Sequence, residues 1–200
     1  QADFHIQAEP ICSKRPCDLR CPPIARKLQS TPDAVRRTLN SGKKAVVLIT
    51  MGGIPTSLPF IRKLSGYQDY YFILAGQRQT TQLGNNVCAL GYDTTMPHPD
   101  LMNSSDLVIC KSGYSTIAEC CQTSASIVCI QRADFPESKT LERFVRENLA
   151  GVIYNQQQFS TGQWLKDLPE LTKRRAEPYP ADGAKQAAGF ITSLLDNKNH

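Results

Sequence analysis

No apolar run in this 200-residue chain approaches the roughly 18 residues that a membrane-crossing helix needs. The opening, QADFHIQAEP, lacks the basic and apolar regions of a secretory signal. It also lacks an initiator Met and starts mid-pattern, like a strand, so the chain reads as a piece of a longer protein. Nowhere do five or six like charges follow one another, and no aromatic residues interleave with basic ones. The net charge of +5 is spread along the chain, which excludes nucleic acid as the main reading and leaves a mild preference for an anionic ligand. There is no G-x-G-x-x-G, no G-K-[ST] and no D-x-D. A dinucleotide fingerprint, a P-loop and a metal-carboxylate pair are thereby excluded. Against these absences stands an ordinary globular composition, 40% hydrophobic and 20% charged.

Eight cysteines would suit a disulfide scaffold, but their positions argue otherwise. Cys110, Cys120, Cys121 and Cys129 fall inside apolar patterns, where a reduced Cys acts as a small hydrophobe. Cys12, Cys17 and Cys21 form a C-x4-C-x3-C cluster in a Pro-rich segment. That spacing is not a standard zinc one, and a metal site, a local disulfide and incidental loop cysteines all stay open. A reducing cytoplasm is the expected compartment.

From residue 44 onward, strand and helix patterns alternate. KAVVLIT (44–50), YYFILA (70–75), NVCAL (86–90), DLVIC (106–110), SIVCI (126–130) and GVIY (151–154) are short runs rich in β-branched or aromatic residues. Several are apolar at every position, as a parallel strand covered on both faces must be. Leu58, Ile61 and Leu64 predict one helix, ended by Gly66. Leu141, Phe144, Val145 and Leu149 predict another, with Gly151 as its C-cap. Ser160 is expected to cap a helix containing Trp164, Leu165 and Leu168, and a last helix runs from about Ala181 to Leu195. STPDAVRRTLNSG reads as a short capped helix with Pro32 in its first turn and Gly42 beyond its end. Residues 10–27 show little periodicity and read as a linker. The fold class is α/β, a doubly wound and mainly parallel sheet.

Ligands of such sheets collect at the carboxyl ends of the strands. Two loops there are rich in Gly and hydroxyls. In ITMGGIPTS, Gly52 and Gly53 let backbone approach a ligand, and Thr56 and Ser57 offer hydroxyls. In CKSGYSTIAECC, Gly113 opens a helix whose amide-rich start suits a phosphate. Thr116 and Glu119 share one face of that helix, and Glu119 lies roughly 9 Å along the axis from Gly113. That is near the span from a diphosphate to the ribose of a nucleotide, where a carboxylate accepts from both hydroxyls of a cis-diol. Read blandly, Ser112 is only a helix cap and Glu119 a solvated acid.

Those residues carry a family likeness. S-G-x-x-T-x-x-E after a D-x-V-x-C strand resembles the C-terminal domain of GT-B glycosyltransferases, a Rossmann-like half of that fold. Within it the chain is similar to the peptidoglycan N-acetylglucosaminyltransferase family. It is also similar to the glycosyltransferase-like N-terminal region of plant arabinokinases, through I-A-R-K-L near 24–28, G-G at 52–53, K-S-G-Y-S-T-I-A-E at 111–119, R-A-D-F at 132–135 and G-Q-W at 162–164.

The resemblance implies a two-part enzyme, in which residues 1–30 end a missing N-terminal domain and continue as linker. Residues 31–200 would then form the nucleotide-sugar-binding domain, inactive in isolation. It implies that Glu119 holds the ribose hydroxyls, and that Ser112, Gly113, Tyr114, Ser115 and Thr116 lie under the diphosphate. Gly52, Gly53 and Thr56 or Ser57 would touch phosphate from the other side, with Arg26 reaching it from the linker. Backbone near Gly91 and Tyr92 would bracket a uracil, making a UDP-sugar the donor substrate, with no cofactor and no metal. Asp134, Glu137 and Thr140 would face the sugar. ADFPESKT replaces the Gln-Gln pair of the peptidoglycan enzymes, so N-acetylglucosamine specificity does not carry over. The extra residues DTTMPHPD after Tyr92 leave the base pocket open. His5 and His98 have no evident partner in the sequence and read as bland. Two alternatives remain: a nucleotide-sugar-binding module without transferase chemistry, and an epimerase using Asp134 or Glu137. Peripheral membrane association stays open.

Overall fold

Side chains of six mostly apolar strands alternate between two layers, and that alternation explains why successive positions in the middle of the runs are apolar. In the computed structural model, which describes residues 2–52, 57–175 and 177–197, a small parallel ribbon comes first. It pairs β1 (Ile6–Ala8) with β2 (Leu19–Cys21). The main sheet contains β3 (Ala45–Thr50), β4 (Tyr70–Gln77), β5 (Thr81–Gly84), β6 (Val87–Gly91), β7 (Leu107–Lys111), β8 (Ser126–Ile130) and β9 (Gly151–Tyr154). Its order is β5-β6-β4-β3-β7-β8-β9, and only β5 runs antiparallel to its neighbour.

Val46, Leu48, Tyr71, Ile73, Val108, Cys110, Ile127 and Cys129 face one layer. Val47, Ile49, Phe72, Leu74, Leu107, Ile109, Val128 and Ile130 face the other. The first layer is covered by α1 (Pro32–Thr38), α3 (His98–Asn103), α4 (Tyr114–Cys120) and α5 (Ser138–Asn148). The second is covered by α2 (Ile61–Leu64), α6 (Gln156–Ser160), a 3₁₀ turn at Gln163–Asp167 and α7 (Leu168–Leu171). Phe60 centres this second layer, its ring edge-on to Phe159 at 5.2 Å and to Trp164 at 5.3 Å. A final helix, α8 (Gly183–Asn197), closes the described chain. The sheet is doubly wound, as its sequence pattern requires.

At the start of β7, Asp106 accepts from Val46 N–H at 2.8 Å, from Arg36 Nη2 at 2.9 Å and from Arg175 Nη2 at 2.7 Å. These bonds stitch the amino ends of β3 and β7 together, opposite the end where ligands collect.

Three local expectations are corrected. Ser160 is the last residue of α6, not a cap; Asn155 caps that helix through a reciprocal pair with Gln158, which satisfies two N–H groups at once. Gly151 is not a C-cap but the first residue of β9, since Leu149 ends α5 in extended conformation. Residues 10–27 contain β2, whose three residues are too few to show a period.

What Gly151 supplies is clearance: a Cβ there would collide with Val145 Cγ1 and lie 3.0 Å from the Val145 carbonyl oxygen. Gly151→Ala should therefore cost about 1–3 kcal/mol of unfolding free energy. Gly189→Ala, in α8 with nothing within 4 Å of the new methyl, should gain up to about 1 kcal/mol. Urea unfolding midpoints of the two variants should move in opposite directions; movement in the same direction contradicts the packing described.

Candidate functional site

Strand order reverses at β3: the chain winds outward through β4 and β6, then returns to place β7 on the other flank. Such a switch point opens a crevice above the carboxyl ends of the two central strands. A cleft of about 440 Å³ lies there. Thr50 and Gly52 line it from the end of β3, Ala75 and Gly76 from β4, and Leu90, Gly91 and Tyr92 from the end of β6. The far wall is Met96, His98 and Leu101 around α3, then Ser115, Thr116 and Glu119 on α4, with Arg26 reaching in from the segment after β2. Gly52 sits at φ +64°, a left-handed turn that lets the chain leave β3 without a side chain over the crevice.

Glu119 carries the chemistry of this cleft. Its carboxylate is only 3% exposed, yet both oxygens are bonded. Arg26 Nε donates to Oε1 at 2.6 Å, and His98 Nδ1 bonds Oε2 at 3.0 Å. The other nitrogen of the same ring, Nε2, lies 2.9 Å from Thr50 Oγ1. Burial alone would push the Glu119 carboxyl up; the bonds from His98 and Arg26 outweigh it and hold the group below its ordinary 4.5. Conversely, the hydrogen bond to Glu119 raises the Arg26 guanidinium.

Of the residues singled out in the sequence, Arg26, Gly52, Tyr92, Ser115, Thr116 and Glu119 meet in this cleft. Gly113 is the N-cap of α4 and Ser57 is exposed. Gly53 and Thr56 lie outside the described residues. Ser112 is fully buried and turned the other way: its hydroxyl is 2.7 Å from that of Ser138, which donates to Glu142 Oε1 at 2.6 Å. Tyr114 points toward the N-terminal segment, its hydroxyl accepting from Ile24 N–H at 3.4 Å. With Glu137, Cys12 and residues of β1, it lines a smaller hollow of about 240 Å³. Asp134 is exposed, and Thr140 is half-buried on α5. The amides of Gly91 and Tyr92 are engaged, by Thr80 Oγ1 at 3.0 Å and by the Gln77 carbonyl at 3.1 Å. Thr50 went unnoticed in the sequence, and His98, read there as bland and without a partner, is bonded at both ring nitrogens. The signal for His98 was its place in P-H-P-D, at the first helical position after the β6 carboxyl end.

The glycosyltransferase family 28 C-terminal domain matches residues 57–194. The chain belongs to that family. L-arabinokinase of Arabidopsis thaliana is 26% identical over 148 residues, which cover 74% of this chain and 14% of that protein. Two solved structures show the GT-B fold of this family 28 domain. The kitacinnamycin glycosyltransferase, 15% identical, superposes with a TM-score of 0.56 over 88% of this chain and 44% of its own. MurG of Acinetobacter baumannii, 14% identical, does so with a TM-score of 0.56 over 88% of this chain and 60% of its own. This chain thus spans less than two thirds of the length of each relative named.

The Glu119 bonds couple the family 28 domain to pH. A carboxyl held low in the folded state contributes stability above its unfolded value, and that contribution is lost as pH falls through the folded one. Glu119→Gln should flatten the fall of stability below about pH 4.5, in denaturant titrations at a series of pH values. Parallel curves for the two proteins contradict the coupling.

Proposed function

We propose that the cleft binds the nucleotide part of a sugar donor, uridine-linked, and that this chain is the donor-binding half of a glycosyltransferase. One observation carries the reading: an ionised carboxylate, almost out of water, faces a crevice at the sheet's switch point. A carboxylate offers about four acceptor sites over its two oxygens. Arg26 and His98 take one on each, which leaves one on each for the paired hydroxyls of a ribose. Arg26 has four further N–H donors beyond the one given to Glu119, suited to a diphosphate beside the ribose. Ser115 and Thr116 add the open amides of the first turn of α4.

At the base end, Leu90, Gly91 and Tyr92 line the cleft, and the resemblance to the peptidoglycan enzymes, in which the equivalent main chain reads a uracil edge, favours UDP. During transfer the leaving diphosphate gains charge, and a guanidinium already at the site stabilises it without reorganisation. The acceptor-side half and the catalytic base belong to a domain outside this sequence, and a cytoplasmic setting fits the reduced cysteines. The arabinokinase likeness favours a second reading, a donor-binding module inside a larger protein of other activity. Asp134 and Glu137, both exposed, give an epimerase no such support.

Calorimetric titration of UDP into the wild-type chain should show binding, and Glu119→Ala should weaken it roughly tenfold to a hundredfold through lost charge-assisted bonds. No binding to either protein, or equal binding to both, contradicts the proposal.

A further inference from the structure

Two groups hold Glu119, and they are unequal. Arg26 is a long side chain, 67% exposed, on a segment with no helix or strand around it. An ion pair with one partner so solvated is a soft restraint. His98 is different. It begins α3 between Pro97 and Pro99, whose rings limit the local backbone, and Pro99, Asp100, Leu101 and Met102 behind it are all buried. Its ring is bonded at both nitrogens, to Glu119 on α4 and to Thr50, the last residue of the central strand. Thr50 is itself buried.

The protonation pattern follows from the partners. An ionised carboxylate only accepts, so Nδ1 carries a proton. Nε2 then meets the Thr50 hydroxyl, so the ring bridges the end of β3 and α4.

We infer that His98 is the positioning residue of the site: it anchors the Glu119 carboxylate to the end of β3 and so fixes where a ribose diol is read. This rests on the nucleotide-sugar reading of the cleft given above. Its consequence is a division of labour. Because His98 holds Glu119 in register, the place of the carboxylate does not depend on Arg26, whose remaining N–H groups serve the diphosphate. Without His98, the exposed Arg26 would have to orient the carboxylate by itself.

The test separates positioning from mere packing by using the ligand's 2′-hydroxyl. Wild type, His98→Ala, His98→Asn, His98→Gln and Thr50→Val are each titrated with UDP and with 2′-deoxy-UDP, and their melting temperatures are recorded. Wild type should prefer UDP by about tenfold, the worth of one hydrogen bond to a charged group. An Asn amide sits where Nδ1 does and keeps the donor to Glu119, so His98→Asn should retain that preference. A Gln amide reaches the position of Nε2 instead, so His98→Gln and His98→Ala should bind both nucleotides nearly equally. Thr50→Val, which preserves shape and cuts only the far bond, should lose part of the preference. A purely structural role would weaken both nucleotides together and leave their ratio intact, which would overturn the inference. So would His98→Asn losing the ratio as completely as His98→Ala. If Glu119→Ala abolishes the preference while His98→Ala and Thr50→Val keep it, the inference fails and the site reading stands. If wild type binds neither nucleotide, both fail.

Discussion

A carboxylate taken almost entirely out of water is the constraint around which this cleft is organised. Left unpaired, a buried charge of that kind costs several kcal/mol, and it would either take up a proton or disrupt its surroundings. Glu119 does neither, because Arg26 and His98 each meet one of its oxygens. A bland surface acid needs no such provision. Keeping an ionised group here, at the carboxyl edge of the sheet, is a cost that core packing does not explain and that the proposed recognition of a polar ligand would.

The fold makes that pairing by convergence rather than by local sequence. Residues 26, 50, 98 and 119 come from the segment after β2, the end of β3, the start of α3 and the last turn of α4. They meet because the strand order reverses between β3 and β7, which spreads the loops apart and opens the crevice. Membership of the glycosyltransferase family 28 C-terminal domain and the fold shared with solved neighbours set the frame around this crevice. The individual bonds at Glu119 say how this particular chain equips it.

The β-branched runs were legible because strands buried on both faces cannot hide among polar residues; SIVCI and GVIY match β8 and β9 residue for residue. Polar or very short strands were not. β5, TQLG, is a largely exposed edge paired with β6, so no buried face writes itself into its letters. At the site, Glu119 was legible from motif and spacing and Arg26 from the family resemblance, whereas His98 was not. Its two partners are 48 and 21 residues away, and only the folded sheet brings them to one ring. Ser112 shows the opposite failure: a hydroxyl beside a glycine-rich helix start reads as a ligand group, yet a buried partner, Ser138, claims it.

The most direct check is a crystal structure of this chain with UDP bound. The account requires both ribose hydroxyls within about 2.6–3.2 Å of the Glu119 carboxylate, with the diphosphate toward Arg26 and the base beside Gly91 and Tyr92. UDP seated elsewhere, such as the hollow beside Tyr114 and Glu137, with the Glu119 carboxylate untouched, would contradict it.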